Sequence, residues 1–400
     1  MAFKLPSIND LTLIQRQVYN DIIVNKTERL AVIGGPGTGK TVLLMLAINK
    51  LNLEREKLLF LVYNKPLKQF VHTSITINPN AKFNNYHAWL GGLYKKYQRQ
   101  FDENDNYSFD WEDVECMMKE NQIHYDSIFI DEAQDLPIEL IKILDKISDR
   151  MYVFFDSNQK IDGDNKNKDA ILSSLDLEEH FYDLIDNHRN TIEIEQFAKM
   201  FGNSYQANKL TLKGITSKKH GKKVEVINTN NIQLLANKIV NTYLSNPGKN
   251  VGVLLPKMNN NIKTYFEYYY DAIKNEINSH IDVKIPFYGY LNGPYPPYDE
   301  NGIINEETFN DDGICLMTFK GSKGLEFDIV FMIEMNNRDI SINFVQDLNS
   351  IYVAITRCRD ALSIAYDSTI YNKKSLNNLI INSFKENEQY SNICNEIVLK

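Results

Sequence analysis

The apolar run "RLAVIGG" (Arg29 to Gly35) ends in glycines, and "GGPGTGKT" then leads directly into "TVLLMLAINKLN", which has helical periodicity. This strand, glycine loop and helix constrain the fold more than any other feature. Gly34, Gly39, Lys40 and Thr41 fill the pattern G-x-x-x-x-G-K-[ST], with Gly35, Pro36, Gly37 and Thr38 between them. Glycines let backbone N–H groups curl around phosphate oxygens, and the start of the following helix adds partial positive charge. Lys40 is expected to reach the β and γ phosphates of a bound nucleotide, and Thr41 to hold Mg2+. A strand feeding a helix in this way also predicts a parallel sheet with its function at the carboxyl edge.

Further strands follow the same form. "KLLFLVYN", "DSIFIDEAQD" and "RMYVFFDSNQ" are apolar runs with acids or polar residues at their carboxyl ends. In "IFIDEAQD", Asp131 is placed to coordinate the nucleotide's Mg2+. The adjacent Glu132 is placed to take a proton from an attacking water, which predicts hydrolysis over phosphoryl transfer.

Composition excludes several other classes. With 400 residues, 43% hydrophobic and 24% charged, the chain has enough material for two or three globular domains. No run of eighteen apolar residues occurs, and "MAFKLPSINDLTLIQ" lacks the basic flank and apolar core of a signal peptide, so no membrane association and a cytoplasmic location are expected. Cys116, Cys315, Cys358 and Cys394 are widely spaced and predict neither zinc nor a disulfide framework. A net charge of -8 argues against coating nucleic acid through bulk charge and leaves room for a local basic groove. The densest basic run, Lys213 to Lys223, is either a solvated face or a phosphate contact.

The expected organisation is α/β, with two RecA-like P-loop domains in tandem. An N-terminal ATPase domain spans 1–185, with a small insertion at about 75–125. A C-terminal domain spans 186–370, with an insertion at about 257–312 that includes the Tyr/Pro/Gly-rich "IPFYGYLNGPYPPYDENGIINEE", and a helical tail covers 371–400.

The order of motifs from Leu11 to about Leu362 resembles the UvrD/Rep/PcrA branch of superfamily one helicases. "LTLIQRQV" is similar to the adenine-reading Q motif, with Gln15 at the glutamine position. "LVYNKPL", with Asn64 and Lys65, and "NNYHAW", with His87 and Trp89, resemble stretches that contact single-stranded DNA. "IDEAQD" and "FFDSNQKI" resemble the next two motifs; Asp156 and Gln159 match an acid and a γ-phosphate-sensing glutamine. "NHRN" and "YVAITRCRD" resemble the motifs whose arginines, here Arg189 and Arg357, contact the γ phosphate, with His188 where the family stacks a tyrosine on adenine.

"TFKGSKGLEFDIVF" has lysine and glycines but runs into a strand pattern where a phosphate-binding helix should begin, so a second phosphate loop is not expected. It resembles the family motif in which Glu326 would reach the ribose while Thr318, Lys320, Ser322 and Lys323 face DNA, Lys320 standing in the histidine position. The resemblance implies an ATP- and Mg2+-dependent DNA helicase or translocase that closes two domains on ATP and moves 3'-5' along single-stranded DNA or from the tail of a duplex.

Only 91 positions separate Lys40 from Asp131, so accessory domains must be small, and no nuclease motif set follows "YVAITRCRD". Three readings compete: a helicase or translocase; a nucleic-acid-stimulated ATPase switch subunit working with a protein partner such as a nuclease, in repair or antiphage defence; and an unrelated P-loop kinase or GTPase. For Trp89, stacking on a base and filling the inserted segment's core both remain open.

Overall fold

The computed structural model describes residues 6–62, 80–99, 109–156, 168–199, 216–256, 262–291, 294–296, 312–335, 344–369 and 390–399. The chain divides into two compact units, Met1–Asp186 and Asn187–Lys400.

The first unit is built on a six-stranded sheet. Its strands are β1 (Arg29–Gly34), β2 (Leu58–Val62), β3 (Lys82–Asn85), β4 (Tyr125–Asp131), β5 (Ser148–Phe155) and β6 (Phe181–Leu184), in the spatial order β3-β2-β4-β5-β1-β6. Every pairing is parallel. Parallel sheets carry helices on both faces, so their strands read as continuous apolar runs. All five residues of β2 are buried. Alternation within β1 sends Ala31 and Ile33 into one core and Leu30 and Val32 into the other. Helices α1 (Leu13–Ile23) and α2 (Lys40–Leu53) cover one face through Val18, Ile22, Leu43 and Ile48; α3 (Tyr86–Lys96), α4 (Trp111–Glu120), α5 (Ile138–Lys146) and α6 (Lys168–Ser173) cover the other.

The stretch expected as an insertion at about 75–125 belongs in part to this sheet. Lys82–Asn85 is an edge strand paired with β2, and Asn85 caps the following helix by accepting a hydrogen bond from the Ala88 N–H. "KFNN" is short and largely polar, because an edge strand buries little, and it carries no apolar signal.

The second unit holds an eight-stranded sheet ordered β10-β9-β11-β8-β12-β13-β7-β14. These strands are β7 (Val224–Asn228), β8 (Val251–Leu255), β9 (Phe287–Tyr290), β10 (Pro294–Tyr295), β11 (Ile314–Thr318), β12 (Phe327–Met332), β13 (Cys358–Tyr366) and β14 (Cys394–Val398). All pairings are parallel except β10 with β9. α7 (Ile192–Lys199), α10 (Phe344–Thr356) and the one-turn α11 (Tyr390–Ile393) pack on one face. α8 (Ile232–Leu244) and α9 (Ile262–Ser279) pack on the other through Leu235, Ile239, Phe266 and Ile273.

Two expectations change here. Within 257–312, Phe287–Tyr290 and Pro294–Tyr295 are strands of the sheet, not an excursion from it. In the tail, Cys394–Val398 is a strand paired with β7, so the described part of 371–400 completes the sheet as its edge and is not wholly helical.

Gly252 shows how tightly the central strands pack. A Cβ there would lie 2.7 Å from the Phe327 ring at the start of the neighbouring strand. Gly252→Ala is expected to cost about 2 kcal/mol by overpacking, read as a lower urea midpoint; an unchanged midpoint would show that the Phe327 ring moves aside freely.

Candidate functional site

The phosphate loop lies at the carboxyl end of β1. Gly39 caps α2 with φ 84°, a conformation that favours glycine, and a Cβ there would come within 2.6 Å of the Gln15 side-chain nitrogen and push that amide aside. Gln15 is buried in α1, where its Oε1 accepts from the Thr12 N–H at 3.0 Å and its Nε2 donates to the Thr38 carbonyl at 2.9 Å. This residue therefore ties α1 to the loop. Lys40 folds back over the loop it follows, its Nζ donating to the carbonyls of Gly34 at 2.6 Å and Gly35 at 3.0 Å. A buried ammonium held only on neutral carbonyls gains from exchanging them for phosphate oxygens.

Next to it, at the end of β4, Asp131 is fully buried. One carboxylate oxygen accepts from the Thr41 hydroxyl at 2.9 Å, and the other from the Glu132 N–H at 3.0 Å. Burial pushes its pKa up to about 6, the Glu132 charge adds to the rise, and Lys40 opposes it. A carboxylate so buried favours a positive partner. Thr41 and Asp131 thus fit a divalent ion, and no group of three His, Cys, Asp or Glu residues that could hold a metal gathers among the described residues.

Glu132 takes the left-handed conformation, φ 57° and ψ 44°, which is uncommon for a residue with a side chain. Gln134 donates to Glu132 Oε2 at 2.6 Å and accepts from the Asp156 N–H at 3.2 Å. Gln134 was not singled out from the sequence. It positions the expected base against the end of β5, and only the fold reveals that role.

In the second unit, the loop carrying His188 and Arg189 is fixed by its flanking asparagines. Asn187 Oδ1 accepts from the N–H groups of Arg189 and Asn190, each at 3.1 Å, and its Nδ2 donates to Asn190 Oδ1 at 3.0 Å. Asn190 in turn donates to the carbonyls of Thr356 and Cys358. The repeat of Asn about His188-Arg189 was the available signal. His188 is exposed. Arg189 pairs with Glu326 Oε1, while Arg359 pairs with Glu326 Oε2. Burial raises the Glu326 pKa, but Arg189 and Arg359 outweigh it and hold the carboxyl at about 2. Arg357 is buried, its Nε donating to the Val353 carbonyl at 3.1 Å at the end of α10.

The expected strand-contacting residues divide by burial. Thr318 is half-buried and Lys320 exposed, whereas Ser322 and Lys323 are buried, with Ser322 donating to the Phe319 carbonyl at 2.7 Å. His87 is half-buried, 3.8 Å from the Tyr86 ring centre, with its pKa drawn down by burial. Trp89 is 3% exposed and donates to the Tyr125 hydroxyl at 3.3 Å, so it fills the core and has no face left for a base. Asn64, Lys65 and Gln159 lie outside the described residues.

In the lysine-rich run, Lys219 pairs with Asp360 and Lys223 donates to the Ser391 carbonyl, so these two are held within their own unit. Cys315, Cys358 and Cys394 are buried, with thiols pushed up to about 12 chiefly by burial. No helix among the described residues is long and apolar enough to cross a membrane.

Residues 15–164 match the family model described as an AAA domain, and residues 300–369 match the UvrD-like helicase C-terminal domain. No curated protein matches the chain.

The raised pKa of Asp131 has a consequence for stability. A carboxyl whose pKa is higher folded than unfolded costs stability as pH rises from about 4 to about 6, since the unfolded chain then ionises more readily. In EDTA without nucleotide, Asp131→Asn is expected to stabilise the protein by about 1–2 kcal/mol at pH 7.5, with the gain shrinking as pH falls toward 4. Denaturant melts at both pH values measure this; a less stable variant at pH 7.5 contradicts the assignment.

Proposed function

We infer that this chain, which belongs to the UvrD-like helicase family, is an ATP-hydrolysing DNA helicase or translocase that moves 3'-5' on single-stranded DNA. The observation that carries this reading is the buried Asp131 carboxylate hydrogen-bonded to Thr41 beside a lysine parked on its own phosphate loop. Lys40 would leave the Gly34 and Gly35 carbonyls for the β and γ phosphates. Thr41 and Asp131 would hold Mg2+, which neutralises phosphate charge.

Glu132, aimed by its left-handed backbone and by Gln134, would accept a proton from the attacking water. His188 would stack on the adenine and Glu326 would reach the ribose. Arg189 and Arg357, with Gln159, would stabilise charge developing on the γ phosphate, which requires both arginines to exchange their present partners. Gln15, bonded to the Thr38 carbonyl, would couple adenine reading to the shape of the loop. On the strand, Thr318, Lys320 and His87 are the described residues with exposed surface.

A second reading has one observation in its favour. Of the described residues expected on DNA, Trp89, Ser322 and Lys323 are buried, which thins the track available for stepping. A nucleic-acid-stimulated ATPase switch, working with a nuclease or another partner in repair or antiphage defence, needs fewer strand contacts than a helicase.

ATP turnover is to be measured without nucleic acid and with single-stranded DNA, duplex and RNA, followed by strand displacement from a 3'-tailed duplex. We expect stimulation by single-stranded DNA, and loss of at least about 100-fold in kcat for Lys40→Ala. Turnover indifferent to nucleic acid would overturn both readings. DNA-stimulated turnover without displacement or directed movement would favour the switch.

A further inference from the structure

Glu326 is shared between two arginines that divide its oxygens. Arg189 Nη2 holds Oε1, and Arg359 places both Nε, at 3.0 Å, and Nη2 on Oε2. The two cations differ in what else restrains them. Among the described residues the Arg189 side chain has one further partner, the Thr356 carbonyl at 3.2 Å, a neutral acceptor that a phosphate can replace. Arg359 also lies 3.8 Å from Asp328 Oδ1. Asp328 is locked across the sheet, its N–H donating to Asn250 Oδ1 at 2.7 Å and its Oδ2 accepting from the Asn250 N–H at 3.1 Å. Arg359 therefore sits between two carboxylates, one of them rigidly placed, while Arg189 bridges one carboxylate and one carbonyl.

We propose that Arg359 is a positioning residue for nucleotide binding: it keeps Glu326 charged and fixed by Oε2 while Arg189 exchanges Glu326 Oε1 for a nucleotide phosphate. This rests on the function proposed above. If Arg189 left a carboxylate that had no other cation, a half-buried anion would lose its counter-ion, and that loss would oppose nucleotide binding. With Arg359 in place, the anion keeps one charged partner throughout, and Oε1 becomes available to a hydroxyl donor on the nucleotide. The side chain of Arg359 acts through Glu326 and needs no contact with ATP.

The test is a double-mutant cycle on the full chain, reading KM for ATP and kcat separately at saturating single-stranded DNA. Arg359→Gln is expected to raise KM about tenfold with kcat changed by less than about threefold, because Arg189 is then the sole cation on Glu326. Arg359→Lys, which keeps the charge, is expected to recover most of the loss. In a Glu326→Gln background, where no anion remains to be held, Arg359→Gln is expected to change KM by less than about twofold. An unchanged KM in the single variant, or an equal rise in both backgrounds, overturns the proposal. Should Arg359→Gln fail to fold, Arg359→Met, which also removes the charge, compared in the two backgrounds decides it: equal effects overturn it, and a rise in KM confined to the Glu326 background supports it. Wild-type protein without Lys40-dependent ATP hydrolysis would instead remove the function on which the proposal stands.

Discussion

The first unit is organised around a carboxylate that folding leaves short of positive charge. Asp131 is fully buried at the end of its strand, so it cannot reach water, and its two hydrogen bonds come from a neutral hydroxyl and a neutral amide. Lys40, which opposes the rise in its pKa, spends its ammonium on the loop carbonyls. A buried anion in this state favours either a proton or a cation. Glycine at position 39, the back-folded lysine and the Thr41 hydroxyl gather at one strand edge, so the unit holds a phosphate cradle and an uncompensated carboxylate side by side. Mg2+ bound to a nucleotide would satisfy both at once.

The second unit gathers charge in the opposite way. Glu326 has two guanidinium partners, and its carboxyl is held at about 2. Arg359 also lies 3.8 Å from Asp328, so of the two arginines it is Arg189 that combines a single carboxylate with a neutral carbonyl. Asn187 and Asn190 keep the backbone of the Arg189 loop fixed while its side chain is free to change partners, since their bonds run to main-chain groups and to each other. In the function proposed above, backbone rigidity with side-chain exchange would preserve geometry through a turnover cycle.

Much of this was legible in the sequence, for physical reasons. The phosphate loop and "IDEAQD" are local: each needs a strand, a turn and specific residues within a few positions, and chain order alone specifies them. The apolar strands were readable because both faces of a parallel sheet are covered. Edge elements were not. "KFNN" and "CNEIV" bury too little to show a pattern, so one was read as insertion and the other as part of a helical tail. Residues whose work is done across the fold were also hidden. Gln134 links Glu132 to the end of β5, and Arg359 reaches Glu326 from the next strand, contacts for which spacing in sequence gives no signal. Trp89 left two readings open, and only its burial against Tyr125 decided between them.

The segment from Thr318 to Glu326 shows how burial changes what a motif does. Thr318 and Lys320 stand at one end with exposed surface and Glu326 at the other among the arginines. Between them the backbone turns through bonds from the Ser322 N–H to the Thr318 carbonyl at 3.0 Å and from the Lys323 N–H to the Lys320 carbonyl at 3.2 Å, and the Gly321 N–H donates to the Thr318 hydroxyl at 3.0 Å. The Leu325 N–H closes the turn onto the Ser322 carbonyl at 3.0 Å. Ser322 and Lys323 are buried in this turn and brace it. A braced turn transmits displacement better than a flexible one, because a shift at either end cannot be absorbed by local rearrangement. If Lys320 meets a nucleic-acid strand as proposed, such a brace would let a small movement there register at Glu326. The lysine-glycine stretch that looks like a fragment of a phosphate loop is, on these contacts, a braced turn joining Thr318 and Lys320 to Glu326.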